Sequence, residues 1–486
     1  MSFASAFLPL GWALGAFALT MLLPALVALG FGEVAQAKSF FLSAVLTAFA
    51  AGAIIIATRG VAPRAPRRRE GFLLACLIWT ILPGFGALPL YHIGIAETGI
   101  DAYFEAVSGF STTGATVLHN LDIAERSVLI WRGILQWLGG LSTIVLILVL
   151  LSFLGGGGMQ FFQSAMPRGE RSAMSVQLYQ SVRDIIGVYA LLTVVCAAML
   201  WATGLPPLEA VAQALSTLST GGFTTRDGSI GALGNPLAEI VLIIFMIAGA
   251  INFTLHWAMM HGRHVRIYRE DPEFITLIGL CAVAALVLTL IFFAAGDSLG
   301  HSIRLGLFNA ISALTTTGFS TGQASTWPLA APMLMILLAI IGGSAGSTTG
   351  GLKIMRFMIL LLMAGRELKR LIHPSGVVMT QYGNRSVDND VIRAVWSYFC
   401  IFLLSTVMLA VALAAFGLDF SQATNLTILA LTNTGAGDGT LVSGLAGRGY
   451  VDLPSGAKLL LSGAMVLGRL ELLTVFILLS RSFWRR

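Results

Sequence analysis

The feature that most constrains this chain is a short Thr-Gly hairpin that occurs four times. The copies are Ser111-Thr112-Thr113-Gly114-Ala115, Ser219-Thr220-Gly221-Gly222-Phe223, Thr316-Thr317-Gly318-Phe319 and Asn433-Thr434-Gly435-Ala436-Gly437. Matched on Gly114, Gly221, Gly318 and Gly435, they stand 107, 97 and 117 residues apart. Each follows a short apolar segment and precedes a linker and another long apolar run. A helix of about ten residues rises roughly 15 Å and cannot cross about 30 Å of hydrocarbon. Such a segment is therefore re-entrant if it enters a membrane, and four similar loops are most simply placed around one axis.

That the solvent is a membrane follows from composition. The chain has 486 residues, 56% hydrophobic and only 11% charged, with mean hydropathy +0.86. Long apolar runs separated by short charged ones are the pattern of spanning helices. The 54 glycines suit close helix approach and irregular backbone inside a protein-lined cavity. The net charge of +6 does not point to nucleic acid, because the basic residues lie between apolar runs and report topology. Cys76, Cys196, Cys281 and Cys400 sit singly in four apolar runs, a spacing that fits small core residues rather than a disulfide framework or metal cluster. The first apolar run, Leu8 to Leu29, has no basic stretch before it and leads directly into another span, so it reads as a retained helix and not a removed signal peptide.

The expected order is two N-terminal helices, 8–30 and 38–58, and then four repeats of one plan: an outer span, a short pore helix, a Thr-Gly loop and an inner span. Repeat one uses 71–92, 102–111 and 128–153; repeat two 182–203, 208–218 and 236–259; repeat three 273–296, 303–315 and 329–363; repeat four 391–417, 421–432 and 455–481. The fold class is an all-α integral membrane protein with four same-sense repeats around a pseudo-fourfold pore, ten crossings and four re-entrant hairpins. As units these are 1–65, a peripheral helix pair, and the pore repeats 66–165, 166–270, 271–370 and 371–486. The basic clusters at Arg59, Arg64, Arg67, Arg68 and Arg69, at Arg168 and Arg171, at His261, Arg263, His264, Arg266 and Arg269, at Arg366, Lys369 and Arg370, and at Arg481, Arg485 and Arg486 all fall on one side in this register. The positive-inside rule makes that side, and both termini, cytoplasmic.

Four symmetric loops can replace the hydration shell of a monovalent cation with backbone carbonyls, without the full charges that would trap it. Pointing carbonyls inward needs an unusual backbone, which glycine tolerates at positive φ. Gly114, Gly221, Gly318 and Gly435 are expected to do this, with Thr113, Thr220, Thr317 and Thr434 before them, and Ser111, Thr112, Gly222, Phe319 and Asn433 completing the candidate filter. The pore helices would aim their negative C-terminal ends at the cavity below and favour a cation there.

The third inner span is interrupted by Gly342-Gly343-Ser344-Ala345-Gly346-Ser347-Thr348-Thr349-Gly350-Gly351 and then Lys353. Irregular backbone at membrane depth is tolerated where it lines a cavity, so this stretch is expected to be a flexible gate beneath the loops; the competing reading is a turn linking two half-helices. It lacks the lysine and βα context of a phosphate-binding loop. Arg469, in mid-span, either faces the cavity and regulates cation passage or pairs with Glu471 or another carboxylate. Lys353 either closes against an acid or snorkels. Asn252, His256 and Trp257 fit hydrogen-bonded helix packing rather than metal ligation. Asp227 and Asp438 either concentrate cations at the outer mouth or are solvated loop charges.

The four hairpins, Gln136-Trp137-Leu138-Gly139-Gly140, Asn252 to His256, the stretch from Gly342 to Lys353, and Gly468 to Glu471 together resemble the TrkH/KtrB superfamily of potassium-translocating subunits over residues 8–481. The two extra N-terminal helices resemble its TrkH/TrkG branch. The resemblance implies potassium uptake across a bacterial inner membrane, homodimers with a pore inside each subunit, and regulation by a cytoplasmic TrkA-like nucleotide-binding ring. It further implies that the four loop glycines form the selectivity filter, that Gly114 rather than serine in the first loop favours potassium over sodium, and that the glycine-rich loop and Arg469 form the intramembrane constriction. The chain's own cytoplasmic stretches, 154–180 and 364–390, are too short for a nucleotide-binding fold, so no cofactor is expected on this chain and any nucleotide would act through the partner. Motifs do not separate a gated channel from proton- or sodium-coupled symport. An organic-solute secondary transporter would call for inverted repeats and a charged or aromatic central site; an enzyme would need a catalytic set that the sequence does not present.

Overall fold

In lipid a chain satisfies its backbone polar groups internally, and the apolar runs here do so as helices. A computed structural model describes residues 4–59, 68–153, 174–262, 265–322, 327–373, 381–383, 385–435, 450–472 and 475–476. Arg64, Arg67, the glycines at 155–158, Arg168, Arg171, Arg263, His264, Ala436, Gly437, Asp438, Arg481, Arg485 and Arg486 lie outside the described residues.

The outer helices are Arg68–Ile93, Met174–Ala202, Pro272–Ala294 and Asn389–Ala414, and the pore helices Gly99–Phe110, Pro207–Leu218, Leu299–Leu314 and Phe420–Leu431. Three pore helices start at recognisable signals: Thr98 accepts from the Asp101 amide, Pro207 occupies a first-turn position where no amide is needed, and Asp419 forms a capping box with Gln422. The first inner helix, Arg126–Phe153, is continuous. The other three are not. The second is two helices, Pro236–Ala250 and Phe253–Met260, bent by 98°, where a single span over 236–259 was expected. The third is Ala330–Ile341, an irregular stretch, and Ile354–Ile372. The fourth is interrupted after Ser455–Arg469, with Glu471 at φ 57° and Leu472, Val475 and Phe476 helical beyond it, where an unbroken span over 455–481 was expected. Among the described residues, seven helices are long and apolar enough to cross a membrane, and the bent pair makes an eighth. A two-residue ladder, Gln381–Tyr382 with Arg385–Ser386, is the exception to an all-helical chain among the described residues.

Each outer helix packs on its own pore helix, and each inner helix packs on the pore helix of the next repeat, with the fourth returning to the first. This closed cycle is the pseudo-fourfold pore. The N-terminal helices Ala4–Thr20, Leu22–Gly30 and Val34–Thr58 pack on the outer and inner helices of repeat one, away from the axis.

Candidate ion pathway

The four pore helices end in the same way. In each, the second residue past the helix adopts positive φ: Thr112 (55°), Thr220 (50°), Thr316 (54°) and Asn433 (50°). Its amide donates to the carbonyl three residues back, and the next amide donates five back: Thr113 to Ser108, Gly221 to Ser216, Thr317 to Ser312 and Thr434 to Leu429, each at 2.9 Å. This is a Schellman ending. The left-handed position usually holds glycine, yet here it holds threonine three times, at a strain of about 1–2 kcal/mol each. Three of the four side chains are hydrogen-bonded, whereas the Thr112 hydroxyl is buried without a partner among the described residues. The Thr316 hydroxyl accepts from the Gly350 amide (2.8 Å), Thr220 donates to the Thr348 hydroxyl (3.3 Å), and Asn433 donates to the Met465 carbonyl (2.8 Å) and the Thr113 hydroxyl (3.1 Å).

Counting from the helix ends corrects the register of the second loop. Thr220 is the counterpart of Thr112, Gly221 of Thr113, and Gly222 of Gly114, Gly318 and Gly435, so the sequence match on Gly221 is one residue early. Backbone sign agrees: Gly114 (87°), Gly222 (83°) and Gly318 (81°) have positive φ, whereas Gly221 does not. Positive φ at the first and third loop residues, with negative φ between, turns successive carbonyls to one side. Gly435 keeps a φ outside this range, and its amide donates to the Thr113 carbonyl.

The glycines are also required by space. A Cβ on Gly114 would overlap the Gly221 carbonyl oxygen, one on Gly222 that of Thr317, one on Gly318 that of Gly435, and one on Gly435 that of Thr113. Each loop thus lies against the next around a closed ring. Ser111, Thr113, Thr434 and Phe319 are all buried in this ring, and the Phe319 carbonyl accepts from Ser312 Oγ at 2.6 Å.

Behind the ring is a polar brace that sequence inspection missed. Arg132 and Glu105 are 1% and 0% exposed and bond at 2.9 Å. Glu105 also accepts from the Thr116 hydroxyl (2.9 Å) and the Val117 amide (2.9 Å), while Arg132 donates to the Thr224 carbonyl (2.8 Å). The outer limbs of loops one and two are therefore tied through one ion pair. The available signal was an arginine and a glutamate inside otherwise apolar segments. Asp227 accepts from the Leu121 amide at 2.9 Å and joins the same two repeats.

Beneath the ring runs the glycine-rich stretch. Thr348 Oγ1 donates to the carbonyls of Leu218 (3.1 Å) and Gly249 (3.0 Å), and Gly350 packs so closely on the Thr432 carbonyl that a Cβ would overlap it. With Gly350 on Thr316, it touches the C-terminal ends of three pore helices. The break in the second inner helix provides its dock: Ser344 and Thr348 amides donate to the carbonyls of Ala250 (3.0 Å) and Gly249 (3.3 Å), and the Phe253 amide donates to Gly346 (3.2 Å). Asn252 caps the half-helix that follows, accepting from the Thr254 amide at 2.9 Å. His256 bonds Ala248 O (2.9 Å) and Tyr268 Oη (2.8 Å), and Trp257 donates to Asp184 (3.2 Å), the hydrogen-bonded packing expected of this face.

Ser347 bonds the Ser344 carbonyl and the Thr349 hydroxyl, the Ala345 amide donates to Glu273 (2.7 Å), and the Gly343 carbonyl accepts from Ile354 (2.9 Å). Gly342, Gly346 and Gly351 have positive φ, as does Lys353. Lys353 Nζ donates to the Thr349 carbonyl and hydroxyl, not to an acid. Arg469, 5% exposed, donates to the Thr348 carbonyl at 2.6 Å. Its expected local partner Glu471 is bonded instead to Arg356 at 2.6 Å.

The profile of a family described as "TrkH: Cation transport protein" matches residues 38–485. The chain is 36% identical over 473 residues to "Trk system potassium uptake protein TrkH" of Salmonella typhimurium, covering 96% of both. It is 33% identical over 482 residues to "Trk system potassium uptake protein TrkG" of Escherichia coli, covering 98% of this chain and 97% of the other. The crystal structure of "the Potassium Transporter TrkH from Vibrio parahaemolyticus" superposes with TM-score 0.90 at 34% identity, each chain covered over 100%. The chain is therefore a multi-pass membrane protein and not an enzyme: it belongs to the TrkH family of cation transport proteins.

Proposed function

We propose that this protein takes up potassium through the pore between its four loops. The observation that carries the reading is the ring of Gly114, Gly222, Gly318 and Gly435, each too close to the next loop's backbone to bear a side chain. A ring of this kind presents backbone carbonyls, with those of Thr113, Gly221, Thr317 and Thr434 one level away, to a dehydrated cation. The names of its relatives, potassium uptake proteins and a potassium transporter, select potassium among monovalent cations. The stretch 343–351, with Lys353 and Arg469, is the gate: it lies beneath the ring and brings two cationic side chains to the ion's path. In this reading the protein sits in a bacterial inner membrane with both termini cytoplasmic, forms a homodimer, and is regulated by a TrkA-like nucleotide-binding ring.

The test is rubidium-86 uptake into proteoliposomes holding the purified protein, with potassium, sodium or lithium as competitor. Strong competition by potassium and weak competition by sodium is expected, with total uptake lowered and the difference narrowed in Gly114→Ser, whose Cβ has to displace the second loop. Equal competition by sodium in the unaltered protein would overturn the ion assignment. If no rubidium enters, repeating the assay with the partner ring and ATP separates a closed gate from a wrong pathway.

A further inference from the structure

The second loop is built differently from the other three. In loops one, three and four the residue before the ring glycine is a threonine whose hydroxyl pairs with the hydroxyl two residues earlier: Thr113 with Ser111 (2.7 Å), Thr317 with Thr315 (2.8 Å) and Thr434 with Thr432 (3.1 Å). These three loops brace themselves. The corresponding residue in loop two is Gly221, so the Ser219 hydroxyl, bonded to the Leu215 and Ser216 carbonyls at 2.8 and 2.9 Å just as Thr315 and Thr432 bond the helix carbonyls before them, has no hydroxyl two residues on to pair with. Gly221 has no positive φ to account for glycine there. What excludes a side chain is another residue: a Cβ on Gly221 would overlap the carboxamide of Gln136.

Gln136 comes from the inner helix of the first repeat and is 0% exposed. Its Nε2 donates to the Gly221 carbonyl at 2.6 Å and its Oε1 accepts from the Phe223 amide at 3.3 Å, so the carboxamide straddles Gly222. Close approach is made possible by the next residues on the helix: a Cβ on Gly139 would overlap the Phe110 carbonyl, and one on Gly140 would meet Ser219 and Tyr189. One turn earlier, Arg132 holds Thr224 and lies 4.0 Å over the Phe223 ring.

We propose that Gln136 is a positioning residue for ion selectivity, supplying from the first repeat the brace that the second loop lacks because it has Gly221 where the others have threonine. The inference rests on the four-loop filter proposed above. Without the carboxamide, the Gly221 carbonyl and Phe223 amide lose their partners, and residues 221–223 are free to settle at a different distance from the axis. A smaller, more strongly hydrated cation then competes better. Gln136 and Gly221 are one unit: threonine at 221 needs a small residue at 136.

The experiment compares Gln136→Met, Gln136→Ala, Gly221→Thr and the Gln136→Ala/Gly221→Thr double variant with the unaltered protein and Gly114→Ser. Two readouts are taken: the potassium-to-sodium ratio of competition against each variant's own rubidium-86 uptake, and the difference between potassium and sodium in raising the thermal unfolding midpoint, which needs no transport. Gln136→Met, which keeps the volume and removes the amide, should lower the competition ratio at least fivefold and shrink the potassium-specific stabilisation. Gly221→Thr should lose most uptake, and the double variant should regain at least tenfold of it. The inference is overturned if Gln136→Met discriminates as the unaltered protein does, or if the double variant is no better than Gly221→Thr alone, whether through misfolding or inactivity. If Gly114→Ser also leaves both readouts unchanged, the filter itself is misplaced; if Gly114→Ser relaxes discrimination and the Gln136 variants do not, only the brace is wrong.

Discussion

A single methyl group distinguishes strained backbone from crowded backbone. Gly204 and Gly222 both have positive φ, at 98° and 83°, but a Cβ on Gly204 meets nothing within 4 Å, whereas one on Gly222 overlaps the Thr317 carbonyl. Alanine at 204 therefore brings only the conformational strain, about 1 kcal/mol. Gly222→Ala has to displace the third loop as well. We expect Gly204→Ala to lower the unfolding midpoint slightly and keep rubidium uptake, and Gly222→Ala to reduce uptake more than tenfold; equal uptake in the two would show that the ring does not carry the ion. This contrast also marks what sequence could reveal at single positions. Thr-Gly pairs located all four loops, but Gly221-Gly222 offered two candidates, and only the distance from the end of the helix Pro207–Leu218 picks the second. Gln136 and Arg132 were unreadable as contacts because their partners, Gly221 and Thr224, are 85 and 92 residues away in the chain.

Helix breaks set how the stretch proposed as the gate is held. The glycine-rich run in the third repeat announced its break through composition, whereas the bend at Ile251-Asn252 has neither glycine nor proline. Its signal was the N-cap pattern of Asn252 and Thr254, read as part of a continuous polar face. The bend matters because it frees the carbonyls of Gly249 and Ala250, which then receive the Thr348 and Ser344 amides. The loop is thus held by individual hydrogen bonds, each contributing about 1 kcal/mol and more where a charge is involved. Thr348→Val removes the donor to Leu218 and Gly249, and Arg469→Gln removes a charged donor to the Thr348 carbonyl. Either change should raise rubidium uptake in the absence of a partner ring, by roughly fivefold to thirtyfold for about 1–2 kcal/mol of lost closure. Uptake at or below the unaltered level in both variants would mean that the loop supports the pathway and does not obstruct it.

The cyclic order of the repeats was legible in the whole chain, since same-sense units of similar length allow a ring. The seams between them were not, because each is made by residues far apart in sequence. The fourth repeat closes on the first through Lys458 and Asp101, bonded at 2.6 Å with 7% and 11% of their side chains exposed, and the second meets the third through Arg304 and Glu239, also at 2.6 Å. Removing one partner of a buried pair strands the other charge, at about 3–5 kcal/mol. Lys458→Met should therefore lower the thermal unfolding midpoint markedly, and Lys458→Met with Asp101→Asn should recover most of the loss; absence of recovery would assign the effect to packing at position 458 instead of to the stranded carboxylate.

Orientation is a property of the whole molecule and rests on charge alone. At one end of the helices lie Arg266, Arg269, Arg366, Lys369 and Arg370; at the other lie Glu97, Asp297 and Asp419. Translocation disfavours short basic loops, so the orientation proposed above puts the basic end in the cytoplasm and the Thr-Gly loops toward the outside. Exposed positions at both ends make this measurable. In a background with the four native cysteines changed to alanine, single cysteines replace His119 and Ser298 at the acidic end or Arg269 and Lys369 at the basic end, all four being exposed sites. A membrane-impermeant maleimide added to intact spheroplasts should label the first two at once and the last two only after permeabilisation. The opposite pattern would invert the protein, placing the gate outside and the ring of glycines at the cytoplasmic mouth, and an uptake pathway that meets its selective site first would have to be given up.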